Sequence, residues 1–261
     1  MAFSSDRSGN LDIWAMSTKT GAIHPITHDA AQDWDPCFSR DGKTLAWSSN
    51  RGGHFEIWTA AADGSGARQV TKDGIDAENP VFSPDGAWIV YASYDPAKQG
   101  IWKVRVDGSE ASRLAAGSFV WGEISPDGRY VAFAEALSDQ SAPVNLEVVR
   151  FADGKPTSFK TRVRNRFNSA GRNRWMPDGK SLAFIGVDES GVSGIYIQTF
   201  DPDRDSTASQ RKFAGFDPEI PTETFGISPD GKHVVFGGLE VLNSLILVEG
   251  LEGVEPPKRP R

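Results

Sequence analysis

The sequence has little of what several common protein classes require. It contains a single cysteine, Cys37, so it can form neither an internal disulfide nor a cysteine-based zinc site. It has no run of about 18 apolar residues, which argues against a membrane-spanning helix. Its formal net charge is −7, so it lacks the basic excess typical of nucleic-acid-binding proteins. Cys37 lies in an apolar strand pattern, which favours a small packed hydrophobic residue over a reactive thiol.

Residues for catalysis or metal binding are also sparse. Of the four histidines, His24 and His28 are four positions apart, but Pro25 lies between them at a predicted strand end, where helical spacing does not apply. The nucleophile motif G-x-S-x-G of many serine hydrolases is absent from the sequence. We therefore expect no catalytic residue, no metal site and no cofactor in this chain.

One four-residue motif recurs along the chain. The full motif Ser-Pro-Asp-Gly begins at Ser83, Ser125 and Ser228, and variants that differ at one position begin at Ser39 and Met176. Successive copies start 44, 42, 51 and 52 residues apart. Proline presets φ for a tight turn and glycine supplies a positive φ, so each copy predicts a hairpin turn.

An aromatic residue follows each of these turns at the same distance, and a matching segment opens the chain. Each repeat continues with a second polar turn and then with a further turn, as at Asp107-Gly108, so it contains four short strands. Four-stranded repeats of roughly 40–50 residues are typical of propeller blades. We therefore predict an all-β fold, a β-propeller of about six four-stranded blades. The aromatic residues expected in its core are Phe3, Trp47, Tyr91, Phe133, Phe184 and Phe236.

The repeats also predict the limits of the domain. The first repeat begins at its second strand and the last lacks a fourth strand, so we expect the first and last blades to be incomplete. We infer that the chain is the C-terminal portion of a longer bacterial protein, or the product of a reading frame cut short at its start. The propeller spans 1–251 and is followed by a proline-rich disordered tail at 252–261; the predicted blades are 1–29, 33–73, 77–115, 119–162, 170–213 and 222–251.

The repeat resembles that of the TolB-like propeller family, P-x-F-S-P-D-G-x-x-I-A-F-S-S-x-R-x-G-x-x-[DE]-I-[WY]. Residues 36–58 match this pattern almost throughout and residues 80–102 match it well. The resemblance implies six blades around a central channel lined by the first strand of each blade. It also implies a periplasmic or extracytoplasmic location if the chain is part of a longer protein. The segment Phe225–Gly231 more weakly resembles the C-terminal propellers of bacterial receptor serine/threonine kinases and winged-helix regulators.

Candidate contact residues lie at the start of the first strand of a blade or within it, near the expected mouth of the channel. Exposed tryptophan together with arginine is typical of interface anchors. Positions equivalent to Asp35 hold Trp121 and Arg172 in other repeats, so a uniform carboxylate ring for calcium is not expected. The alternative is that these acids cap turns or lie on a solvated rim. The candidates for partner binding are Trp34, Asp35, Glu78, Trp121, Arg172, Arg174 and Glu223.

One basic run alternates along a predicted strand, through Lys160, Arg162, Arg164 and Arg166. Alternate residues of a strand share a face, so these side chains could bind an acidic peptide, a phosphate or an anionic polymer. We favour the alternative, an exposed edge strand that its charge protects from pairing with other strands.

These features favour a non-catalytic protein-interaction or ligand-sensing module over an enzyme. We expect a protein or peptide partner, no nucleic acid and a monomeric chain, with contacts made by loops on a rigid frame. Two alternatives stay open: a carbohydrate-active lyase or hydrolase with its site in the channel, and the accessory propeller of a peptidase.

Overall fold

The computed structural model describes residues 1–74, 76–136, 143–164, 172–187, 193–215 and 222–238. Within these ranges the regular structure is antiparallel β-sheet, apart from a single turn of 3-10 helix at Thr207–Ser209. No helix among the described residues could cross a membrane. The all-β prediction is therefore confirmed.

The strands form six consecutive sheets in the described part of the chain, each a meander in which neighbours in sequence pair with one another. The first sheet contains β1 (Ala2–Ser5), β2 (Asp12–Met16) and β3 (Ile23–Pro25). The second contains β4 (Asp33–Phe38), β5 (Thr44–Ser49), β6 (Glu56–Ala61) and β7 (Arg68–Gln69). The third contains β8 (Ala77–Phe82), β9 (Trp88–Ser93), β10 (Gly100–Arg105) and β11 (Ser112–Ala116). The fourth sheet contains β12 (Phe119–Ile124), β13 (Tyr130–Glu135), β14 (Val144–Arg150) and β15 (Thr161–Val163). The fifth contains β16 (Asn173–Trp175), β17 (Ser181–Val187), β18 (Ser193–Thr199) and β19 (Arg211–Gly215). The sixth contains β20 (Thr222–Ile227) and β21 (Val234–Gly238).

The recurring Ser-Pro-Asp-Gly motif forms the turn between the first and second strands of a sheet. In the turn between β12 and β13, the Ser125 hydroxyl donates to Asp127 Oδ1 at 2.6 Å and the Gly128 N–H donates to the Ser125 carbonyl at 2.8 Å. The backbone N–H of Tyr130 also donates to Ser125 Oγ, at 3.0 Å. The serine and aspartate thus satisfy the polar groups of the turn, which explains why the motif is so regular.

The repeated aromatic residue fills the space between adjacent sheets. Trp47, Tyr91, Phe133 and Phe184 are all almost completely buried. Tyr91, for example, packs in one cluster with Ala46 of the preceding sheet. Burying one such side chain stabilises the fold by roughly 1.5–3 kcal/mol, so the row accounts for much of the packing of blade on blade. Phe3 is only half-buried, and the side chain of Phe236 lies outside the described part of the molecule.

The first sheet has three strands, and β1 corresponds to the second strand of the other sheets. Phe3 pairs with Trp14 across β1 and β2, as Trp47 pairs with Trp58 across β5 and β6. The prediction of a propeller of about six blades is confirmed, and the first sheet shows three strands within the described residues. The last sheet shows two strands within the described residues, and 239–261, including the predicted tail, lie outside them. The predicted domain limits stay predictions.

Candidate functional site

The first strand contains a bulge in each of three consecutive sheets. The register between first and second strands shifts after Trp34, Glu78 and Val120. A residue with a positive φ lies at each shift: Asp35 at 50°, Asn79 at 57° and Trp121 at 56°. A positive φ is uncommon outside glycine and costs roughly 1–2 kcal/mol. Because strained backbone is often found at functional sites, we look for a site where these three bulges lie.

The first strands converge on a common centre. The charges of Glu123 on β12 and Arg174 on β16 both influence the thiol of Cys37 on β4, although these strands belong to sheets two and three places further on. Counting from the turn motif gives two layers of side chains around this centre. The outer layer, four residues before each motif, is Asp35, Asn79, Trp121, Arg172 and Thr224; the inner layer, two residues before it, is Cys37, Val81, Glu123, Arg174 and Gly226.

One side of the outer layer is acidic. Asn79 Nδ2 donates to Asp35 Oδ2 at 2.5 Å, which links the second and third sheets. Burial and the nearby carboxylates of Asp35 and Asp76 raise the pKa of Glu78 to about 7. Within the described residues the side chain of Glu78 makes no hydrogen bond and no ion pair. Burial, reinforced by Glu78 and Asp35, also raises the pKa of the Tyr94 hydroxyl, although the charge of Arg172 opposes the rise, so the hydroxyl stays protonated as a donor.

A second part of the outer layer is cationic and aromatic. The guanidinium of Arg172 lies 5.1 Å from the centroid of the Trp121 ring. Its Nη1 donates to Thr224 Oγ1 at 3.2 Å, so one arginine joins the fourth, fifth and sixth sheets. Arginine stacked on an aromatic ring in this way is favoured at interfaces.

The two charged residues of the inner layer, Glu123 and Arg174, pair with each other. Arg174 and Glu123 form a salt bridge at 2.5 Å. Burial raises the pKa of Glu123, while the charges of Arg174 and Arg172 oppose that rise. Burial also raises the pKa of the Cys37 thiol to about 11, which leaves it protonated and a poor nucleophile. Arg174, a predicted contact residue, is therefore engaged inside the protein.

Trp34 lies beside the outer layer and faces solvent. Its side chain is 41% exposed, and its ring meets Phe55 edge-on with centroids 5.7 Å apart. Of the seven predicted contact residues, Trp34, Asp35 and Glu78 lie on the first strands of the second and third sheets, and Trp121 and Arg172 lie on or next to those of the fourth and fifth. Glu223 lies on β20, but its side chain is outside the described part of the molecule.

The predicted basic strand lies at the edge of the fourth sheet. Lys160, Arg162 and Arg164 are exposed, whereas Thr161 and Val163, which alternate with them on β15, are buried. Arg166 lies outside the described residues. A cleft of about 500 Å³ beside Lys160 and Arg162 is also lined by carboxylates, those of Glu147 and Asp205. Its charge is therefore mixed, and the binding of an anion here stays a prediction.

Several residues of the site were not singled out from the sequence. Asn79 and Thr224 could have been found by counting four residues back from each turn motif, because that position recurs. Tyr94 and Phe55 come from loops of other hairpins, and no spacing along the chain links them to Glu78. Among the residues that the structure describes, no group of three His, Cys, Asp or Glu side chains could hold a metal ion.

A family model of the TolB beta propeller domain matches residues 1–165 of this chain. A search of curated proteins finds no significant match.

Solved structures show the same architecture at low sequence identity. TolB from Acinetobacter baumannii is 20% identical, with a TM-score of 0.61 over 76% of this chain and 48% of that chain. A putative TolB from Agrobacterium tumefaciens is 22% identical, with a TM-score of 0.60 over 77% of this chain and 70% of that chain. Oligogalacturonate lyase from Vibrio parahaemolyticus is 14% identical, with a TM-score of 0.58 over 87% of this chain and 65% of that chain. The chain spans about half the length of the Acinetobacter protein, and identities this low show the fold alone.

Proposed function

Because this chain belongs to the TolB β-propeller family, we propose that it is a non-catalytic module that binds a protein or peptide partner at the mouth of its central channel. The observation that supports this proposal is the convergence of outer-layer side chains from successive blades. Asp35, Asn79, Trp121 and Arg172 occupy equivalent places and contact one another in pairs.

The chemistry of the mouth suits recognition. Tryptophan and arginine are enriched among the residues that dominate binding energies, and here Trp34, Trp121 and Arg172 stand on a rigid frame of packed sheets. A bulge lies next to Trp34 and another at Trp121, and bulges commonly re-aim side chains beside functional sites. We also propose that the chain is a monomer.

Peptide selection tests this proposal. A random peptide library displayed on phage is selected on the immobilised chain, and recovered peptides are titrated by calorimetry. We expect the double variant W121A/R172A to bind them at least about tenfold more weakly, since losing two anchors costs more than about 1.4 kcal/mol.

A matched control is available elsewhere on the surface. Arg105 lies over the ring of Trp88 at 4.7 Å, in the same kind of contact as Arg172 with Trp121. The double variant W88A/R105A should keep wild-type affinity. Equal losses in both variants, or no peptide recovered above background, would contradict binding at the mouth.

A carbohydrate-cleaving enzyme is the alternative proposal. An oligogalacturonate lyase shares the fold, and the carboxylates of Asp35 and Glu78 are close enough for one to raise the pKa of the other. Asp35, however, already accepts a hydrogen bond from Asn79. Release of unsaturated uronides from oligogalacturonate by the wild type, abolished in Glu78→Gln, would favour this alternative, and no release would favour the binding module.

A further inference from the structure

Asn173 departs from the repeat at a point that adjoins the channel mouth. The position three residues before the turn motif holds Pro36 and Pro80 in the second and third repeats, but asparagine in the fifth. Asn173 is completely buried, and its Nδ2 donates to the carbonyl of Trp121 in the neighbouring sheet at 3.1 Å. We propose that Asn173 is a positioning residue that holds Trp121 in the orientation in which it binds the partner. The inference rests on the proposed function and names a residue that acts through one of its anchors.

The bulge at Trp121 explains why its carbonyl bonds to another sheet. The pairing of β12 with β13 passes from Val120 to Glu123, so Trp121 has no partner residue in the described ladder. A carbonyl left without a donor in a packed interface is costly, and the amide of Asn173 supplies one. Rotation of Trp121 to an extended conformation would turn this carbonyl away from Asn173. The hydrogen bond therefore favours the observed φ of 56°.

The ring of Trp121 is held by the residue that precedes Asn173. The guanidinium of Arg172 lies 5.1 Å from the centroid of the ring, which also packs against the core cluster shared by the fourth and fifth sheets. Two consecutive residues thus contact the backbone and the side chain of one tryptophan. A side chain held in its binding conformation loses little freedom when a partner binds, so loss of the amide should lower the fraction of molecules ready to bind.

A second hydrogen bond of the same kind joins the same two strands without contacting Trp121. Trp175 Nε1 donates to the carbonyl of Glu123 at 3.1 Å, two residues further along both β12 and β16. Glu123 belongs to the inner layer, away from the mouth. The variant Trp175→Phe removes this bond and keeps an aromatic ring, so it shows what loosening of the interface does by itself.

Calorimetric titration of peptides recovered by phage selection on the wild-type chain tests the inference. We expect Asn173→Ala to weaken their binding roughly fivefold, as it would if only about one fifth of the molecules kept Trp121 in place. Asn173→Leu fills the space of the amide without a donor and should have the same effect. Trp175→Phe should bind as the wild type does. Thermal unfolding of all three variants shows that each is folded.

A double-variant cycle shows whether Asn173 acts through Trp121. We expect Trp121→Ala to weaken binding about tenfold. The double variant W121A/N173A should then bind within about twofold of W121A, because the ring that the amide positions has been removed. A general effect on the fold would instead multiply the two losses.

A measurement on the free chain separates the inference from the proposed function. Fluorotryptophan is incorporated, and the fluorine NMR resonance of Trp121 is identified by its loss in Trp121→Phe. We expect this resonance to shift or divide in Asn173→Ala and to keep its position in Trp175→Phe.

Two results would overturn the inference and leave the proposed function standing. One is an unchanged Trp121 resonance in Asn173→Ala while W121A/R172A still loses peptide affinity. The other is full multiplication of the two losses in W121A/N173A. A changed resonance with no peptide recovered would instead contradict the proposed function, and with it any role of Asn173 in binding.

Discussion

At the scale of single residues, Glu78 shows how the surroundings of a side chain change its pKa. It occupies the same place in its repeat as Trp34 in the preceding one. Burial and two adjacent carboxylates make its charged form unfavourable. Between its ordinary pKa of 4.5 and its folded value of about 7, Glu78 holds a proton in the folded protein that the unfolded chain releases, which links the stability of the fold to pH.

The sign of this linkage gives a prediction for Glu78→Gln. The pKa rises from 4.5 to about 7 on folding, so the folded state binds more protons in that interval and its stability falls as pH rises through it. The variant should increase the free energy of unfolding by ~1–2 kcal/mol at about pH 8, after allowance for solvent screening of a partly exposed group. At about pH 5 the increase should be much smaller. Urea unfolding at both values measures it, and an equal effect at the two would contradict the assignment.

At the scale of structural elements, the turns do more than reverse the chain. Three glycines in equivalent turns between third and fourth strands abut a carbonyl of the preceding sheet. A Cβ built on Gly64, Gly108 or Gly154 would lie 2.6, 2.8 or 2.3 Å from the carbonyl oxygen of Ile26, Val70 or Leu114, respectively. The Asp-Gly turn is thus also a contact between neighbouring blades.

This contact predicts a difference between two glycine substitutions. Gly108 and Gly42 both have a positive φ, but a Cβ on Gly42 would meet nothing within 4 Å. Gly42→Ala should cost about 1 kcal/mol from its backbone conformation alone. Gly108→Ala should cost roughly 2–4 kcal/mol, because the blades must also separate slightly. Thermal and urea unfolding of both variants measure the loss in the free energy of unfolding. Equal losses would show that the contact between blades adapts to the added methyl group without further cost.

The elements themselves were largely predictable from sequence. Turn chemistry at Ser125–Gly128 and the aromatic at Phe133 are local signals, and they predicted strand pairing correctly. The bulges were not predictable, because Asp35 and Asn79 tolerate a positive φ more readily than most residues but Trp121 does not. The Arg174–Glu123 pair was missed because it joins two sheets that no sequence spacing connects.

At the scale of the whole molecule, the propeller places unlike side chains at equivalent points of one mouth. The repeat that builds the blades is nearly constant, whereas the outer layer changes from Asp35 through Trp121 to Arg172. The result is a mouth that carries both acidic and cationic side chains, although the frame beneath it is a repeat. Constant turns with variable mouth residues are what a binding module on a shared fold would show.

Hydrogen–deuterium exchange of the chain with and without a selected peptide tests the central claim most directly. Binding at the mouth predicts slower exchange at residues 33–36, 76–79 and 119–122, with no change at the turns 39–42, 83–86 and 125–128, which connect the other ends of the first strands. Protection confined to those turns, or to the outer strand β15, would contradict the account.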